Sequence, residues 1–235
     1  MTKSFIAQTT YFLQEGRDNL DDCLKIAFQA AVQQSIGKLV IFTAYGEGVK
    51  RAVENFWVHQ EYAHIGLVAV TFPAGKTFTD SNSKPYEATI AGEIEALMES
   101  HKIPLVRAHL PFDAVEPGAA LQTTVGRGFN LLGETLNMFC GSMSLCVQAI
   151  ALACDAGRVE SGEHVIALTS DTAILARAAV TRKMLSQMVI REVLCKPAIL
   201  TIGRNESAAA LPEKRERKLQ PKRATKRLGK EGPTT

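Results

Sequence analysis

LVIFTAYGEGVKRAVENF, residues 39–56, decides how this chain folds. Its first five residues, Leu39-Val40-Ile41-Phe42-Thr43, form an apolar run closed by one hydroxyl. A strand covered by helices on both faces reads this way, because neither face needs a polar residue. Ala44-Tyr45-Gly46 then turns the chain. From about Glu47 the period changes, and Val49, Ala52, Val53 and Phe56 recur at helical spacing. Strand, short loop and helix in this order are the opening of a parallel βα unit.

The same alternation continues outward in both directions. Upstream, Thr10 to Leu13 is a short strand, and Gly16-Arg17-Asp18-Asn19 breaks the chain. Asn19 is expected to cap a helix with Asp21 and Asp22 in its first turn. That helix runs to about Gln34, buries Leu20, Leu24, Ala27 and Ala31, and is expected to close at Gly37. Downstream, Ile65 to Thr71 is a strand, 72–85 a polar loop, and Tyr86 to Ser100 a helix burying Ile90, Ile94 and Leu97. Leu105 to Arg107 is a strand and 108–127 a long loop. Helices follow at about 129–139 and 142–156, the second ended by Asp155-Ala156-Gly157. Val165 to Thr169, Thr172 to Ala179 and Met188 to Cys195 read as strands. The last two lie too close together for a helical crossover, so one of them runs antiparallel. The expected fold is α/β: a mostly parallel mixed sheet with helices on both faces and an antiparallel strand near the C-terminus.

Composition narrows the class. The chain has 235 residues, 46% apolar and 22% charged, ample for a packed core. No apolar run is long enough for a transmembrane helix and no secretory leader is readable, so a cytoplasmic protein without membrane association is expected. The net charge of +3 conceals a split. Residues 206–235 carry nine Lys/Arg against four Glu, whereas the rest is mildly acidic. With only Leu211, Leu219 and Leu228 as large apolar residues, 205–235 is expected to be a disordered basic tail on an α/β domain of residues 1–204. Two readings of the tail stand: a nucleic-acid arm, against which counts its lack of aromatic residues, or a solubilising segment. Cys23, Cys140, Cys146, Cys154 and Cys195 have no metal-ligand spacing and read as free core thiols. Neither a metal nor a cofactor is expected.

Ligands of open α/β sheets bind beyond the carboxyl ends of the strands. Three loops leave such ends: Gln14 to Arg17, Thr43 to Gly48, and Ser170-Asp171-Thr172. In the second, Gly46 and Gly48 allow close backbone approach, and free N–H groups suit an anion. Thr43 adds a hydroxyl and Arg17 a cation. Glu47 opposes an anion there, and an empty, well-capped helix terminus explains the loop equally. Gly126-Arg127-Gly128 reads as a helix entry, since no strand precedes it. His109, just beyond a strand, and Asp155 and Asp171 are acid–base candidates. Each also has a plain reading: a solvated histidine, a helix-terminal group and a turn former.

The order of motifs resembles the C-terminal α/β domain of pyruvate kinase. Residues 39–56 resemble its strand–loop–helix, Ile65 to Thr71 (IGLVAVT) its next strand, and Gly162 to Thr169 (GEHVIALT) a later strand ending in Leu-Thr. The likeness extends to stand-alone proteins of this fold. Tyr11-Phe12, Gly16-Arg17-Asp18-Asn19, Tyr45-Gly46, Cys146-Val147, Asp155-Ala156-Gly157, Asp171-Thr172-Ala173 and Cys195-Lys196-Pro197 match it in order, over roughly residues 10–200. The resemblance implies a three-layer α/β/α sandwich with one antiparallel strand and no catalytic barrel. It also implies an effector site at Thr43 to Gly48, where several such enzymes bind a sugar bisphosphate. The sequence departs from that pattern: Ala44, Tyr45 and Glu47 replace basic or hydroxyl neighbours, and the second effector loop shortens to Ser170-Asp171.

The leading expectation is a non-catalytic domain that binds a small anionic, phosphorylated metabolite in a regulatory role. Its ligand residues would be Arg17, Thr43, Ala44, Tyr45, Gly46, Gly48, Ser170, Asp171 and Thr172. One alternative is an enzyme acting on a phosphorylated or carboxylate metabolite in the same cleft through His109, Asp155 or Asp171. Another is an interaction module whose tail contacts nucleic acid. A homo-oligomer formed through a terminal edge strand is compatible with each.

Overall fold

The structure, a computed structural model, describes residue 4 and residues 6–79, 82–113 and 124–198, with only the backbone of 124–127, 129 and 130. The basic tail and the middle of the long loop, 114–123, lie outside the described residues. At the centre is β2 (Lys38–Phe42), flanked by two parallel neighbours, β3 (Gly66–Thr71) and β7 (His164–Leu168). Its alternate residues serve two cores. Leu39 and Ile41 face one helical layer, Val40 and Phe42 the other. All four are buried, each contributing about 1.5–3 kcal/mol on the transfer scale.

On the far side of β3, β6 (Leu105–Arg107) continues in parallel. On the far side of β7, β8 (Ala173–Arg177) runs antiparallel, then β9 (Val189–Pro197) antiparallel to β8, and β1 (Thr10–Phe12) parallel to β9. The order is therefore β1-β9-β8-β7-β2-β3-β6, with β8 the reversed strand. The mostly parallel mixed sheet and the antiparallel C-terminal strands read from sequence are both present.

Helices cover both faces. α1 (Leu20–Gln33), α2 (Glu47–Ala52) and α3 (Gly92–Ser100) pack on the Leu39/Ile41 face, and α5 (Met143–Asp155) on the other. α4 (Thr124–Asn137) packs on α5 through Leu132 and Leu136. α5 lies between α4 and the sheet and is buried almost all round. Beyond Ala52, α2 continues as a π-helical turn over Val53–Trp57, where Phe56 stacks on Phe28 of α1 at 5.2 Å. A short helix, α6 (Met184–Gln187), joins β8 to β9. Among the described residues no helix is long and apolar enough to cross a membrane.

Three local expectations are corrected. Asn19 does not cap α1 with its side chain; its Nδ2 donates to the Gln14 and Gly16 carbonyls and closes the preceding loop. α1 ends at Ser35 (φ 55), not at Gly37. There Ile36 N–H donates to Ala31 O and Ser35 N–H to Val32 O, the Schellman pattern with a buried Ile36 behind it. Lys102 ends α3 and Gly157 ends α5 in the same way. Finally, residues 72–85 are not a plain loop, and α3 starts at Gly92 rather than Tyr86. β4 (Thr77–Thr79) and β5 (Pro85–Glu87) pair antiparallel, and Tyr86 belongs to this hairpin.

All five cysteines are free and buried, with Cys23 Sγ 3.5 Å from Cys195 Sγ. The Cys195 contact, then burial, pushes the Cys23 thiol up. Burial raises Cys140 and Cys146 and takes Cys154 to about 11. Once unfolded, these thiols ionise near 9.0, so the folded state holds more protons above that pH. The contribution of Cys154 to stability is whole below pH 9.0 and is lost as pH rises toward about 11, and the other raised thiols act in the same direction. The urea midpoint should therefore fall across that interval, and fall less in a Cys154→Ala variant. At neutral pH, native protein should react with a thiol reagent about a hundredfold or more slowly than the same chain in urea.

Candidate functional site

The sheet defines where a crevice must open. From β2 the chain steps outward to β3 and β6, then returns to the other side of β2 as β7. Between α3 and α5 it also changes faces. The carboxyl ends of β2 and β7 thus form a topological switch point, where neighbouring loops diverge. A cleft of about 190 Å³ lies there. Arg17, Thr43, Ala44, Tyr45, Glu47, Gly48, Ser142, Thr169 and Ser170 line it, over walls of Leu20, Ile41, Phe42, Phe72 and Leu145.

Asp171 ties the first loop and the start of α5 to its own turn. It sits in the tight turn between β7 and β8, where Thr169 N–H donates to Thr172 O at 2.9 Å. Its carboxylate is 4% exposed. Gly16 N–H donates to Oδ2 at 2.9 Å and anchors the first loop. Ser142 Oγ donates to Oδ1 at 2.9 Å and anchors the start of α5. The Thr172 and Thr169 hydroxyls donate to Oδ1 at 3.0 and 3.4 Å. A buried carboxylate is tolerated because it is met by this many donors.

The Thr43 loop is organised from within. Thr43 N–H donates to Val70 O, and Gly46 N–H donates to Thr43 Oγ1 at 2.9 Å. Gly46 has φ 85, and a Cβ there would meet Ile94 Cγ2 at 2.7 Å and Ile90 Cγ2 at 2.9 Å. Its missing side chain makes room for α3, not for a ligand, which corrects the sequence reading. A Cβ on Gly48 would lie 3.1 Å from Ile41 Cγ2.

The charges of the cleft are arranged unequally. Glu47 Oε1 accepts from Arg51 Nη2 at 2.9 Å, and Arg51 Nη1 donates to Asp21 Oδ2 at 2.6 Å. Arg17 has no carboxylate partner among the described residues; its guanidinium lies over the Tyr45 ring, 4.8 Å from the centroid. Such a contact is worth about 0.5–1 kcal/mol at an exposed site. Burial, reinforced by the neighbouring Tyr86 phenol, raises the Tyr45 hydroxyl above its ordinary value, while Arg17 works the other way. The β4–β5 hairpin thus reaches the cleft through Tyr86.

The structure brings together Arg17, Thr43, Ala44, Tyr45, Gly48 and Ser170. Gly46, Asp171 and Thr172 stand behind them as supports, outside the lining. The acid–base candidates do not share a site. His109 is exposed on the loop after edge strand β6, its Nε2 3.2 Å from Asp113 O. Asp155 lies at the opposite end of α5 from Ser142 and accepts from Thr181 N–H at 3.0 Å. Gly126-Arg127-Gly128 falls inside α4. Sequence reading missed Ser142, Leu145 and Phe72; the Gly-Ser-Met-Ser turn at 141–144 was the available signal for the first two.

The fold and the cleft define an open-sheet α/β protein with a crevice at the switch point of its sheet. No protein-family model matches the chain.

Two outcomes test this construction. Asp171→Ala strands donors on three segments, two of them buried threonine hydroxyls, and should cost about 3 kcal/mol or more by urea unfolding. Gly46→Ala adds backbone strain and crowding and should cost about 2–4 kcal/mol. Gly75→Ala is the control: its φ is 77, but a Cβ would meet no atom within 4 Å, so it should cost clearly less.

Proposed function

We propose that this chain is a stand-alone domain of the pyruvate kinase C-terminal type that binds a small anionic metabolite in a regulatory, non-catalytic role. The observation that carries the reading is the cleft's charge arrangement. An arginine without a carboxylate partner among the described residues stands at the switch point, while the one lining carboxylate, Glu47, is turned to Arg51. The repulsion that Glu47 raised against an anion is thereby met by a neighbouring cation. The resemblance over roughly residues 10–200, and a sheet with helices on both faces and one reversed strand, support the family assignment. Asp171 is enclosed by donors and apart from His109 and Asp155, which counts against the enzyme reading.

The test is a thermal-shift screen of the full chain against phosphorylated sugars, nucleotides, acyl phosphates and carboxylic acids. A ligand at about 100 times its dissociation constant should raise Tm by roughly 5–10 °C. Arg17→Ala should weaken that ligand about tenfold or more. It should leave the ligand-free Tm nearly unchanged, because Arg17 is exposed and forgoes only its contacts with Tyr45. Unchanged affinity would remove the anion site from the cleft.

A further inference from the structure

The cleft's own chemistry narrows the anion, an inference that rests on the reading just given. Five hydroxyls reach the lining, but those of Ser142 and Thr169 already donate to Asp171, and that of Tyr45 meets Tyr86 and Arg17. Thr43 Oγ1 accepts from Gly46 N–H and keeps its proton to offer, as does Ser170. The apolar part of the wall is Leu20, Ile41, Phe42, Phe72 and Leu145. A sugar placed against these side chains would lose water from its hydroxyls and find few partners.

Charge points the same way. Arg51 faces two carboxylates, Glu47 and Asp21, and Asp171 adds a third negative group behind the wall. Arg17 therefore supports one ligand charge. A phosphate monoester carries about −1.5 to −2 at neutral pH, more than this surrounding favours. A carboxylate carries one charge and fits the planar fork of a guanidinium. Arg17 lies over the Tyr45 ring and meets the Tyr45 hydroxyl, and with five N–H donors in its fork it keeps others for such a pair. Size agrees: a dry cavity of about 150 Å³ takes up one benzene, and the cleft measures about 190 Å³.

We infer that the cleft binds a small monocarboxylic acid with an apolar body, a single aromatic ring or a branched alkyl chain, its carboxylate on Arg17 and its body against Phe42, Phe72 and Leu145.

Calorimetric titration of the full chain tests this with benzoate, 3-methylbutanoate, benzamide, inorganic phosphate and glucose 6-phosphate. Benzoate and 3-methylbutanoate should bind, with benzamide weaker by about tenfold or more. Arg17→Gln should weaken both carboxylates by about 10- to 100-fold. Leu145→Trp, which fills the space beside a half-buried position, should block both while leaving the fold intact by circular dichroism. If that variant loses its fold, Leu145→Asn, which sets an amide against the ligand body, should weaken both carboxylates instead. Phosphate or glucose 6-phosphate binding more tightly than the carboxylates, and in an Arg17-dependent way, overturns the inference and leaves the anion site standing. Binding of none of the anions, or binding that Arg17→Gln does not change, overturns both.

Discussion

One buried carboxylate organises the end of the sheet where the cleft opens. Asp171 accepts from the backbone of the first loop, from the start of α5 and from two threonines of its own turn. These segments come from distant parts of the chain. The carboxylate is kept from water, so each donor that leaves it exposes an uncompensated charge to an apolar surrounding. The position of Arg17 follows, one residue after the anchored Gly16. So does the position of Leu145, in the first turn of the helix that Ser142 begins.

Much of the fold was legible because periodicity reports burial directly. The run 39–43 reads as a strand covered on both sides, and α1 repeats its apolar residues at 20, 24, 27 and 31; the structure buries them all. What escaped was conformational rather than hydrophobic. Ser35 and Lys102 adopt the left-handed region that glycine usually takes. Their signal lies one residue on, in Ile36 and Ile103, which are buried and pull the chain back across the helix end. The β4–β5 hairpin escaped because strands of three residues are too short for an alternation to be read.

The candidate site was legible in its loops but not in its logic. Strand ends marked Arg17, Thr43 and Ser170, which line the cleft. Asp171 was readable as a turn former, yet two of its partners lie 155 and 29 residues away in sequence, and no local pattern encodes such a pairing. The glycines misled for a related reason. A glycine beside a strand end signals close approach of something, and at Gly46 that something is α3. Glu47 read as a lone carboxylate at the cleft, and its partner Arg51 sits one helical turn on.

The pairing of β1 with β9 ties the start of the fold to its end, Thr10 lying opposite Cys195. During synthesis β1 has no strand to join until the last strand has left the ribosome. At about 5–20 residues per second that wait is on the order of ten to forty seconds. The Gly16–Asp171 bond forms no sooner than the turn after β7 emerges. The strands β2, β3 and β6 are in hand long before, so the end of the molecule where the cleft opens is assembled last, onto a sheet already begun from its β6 edge.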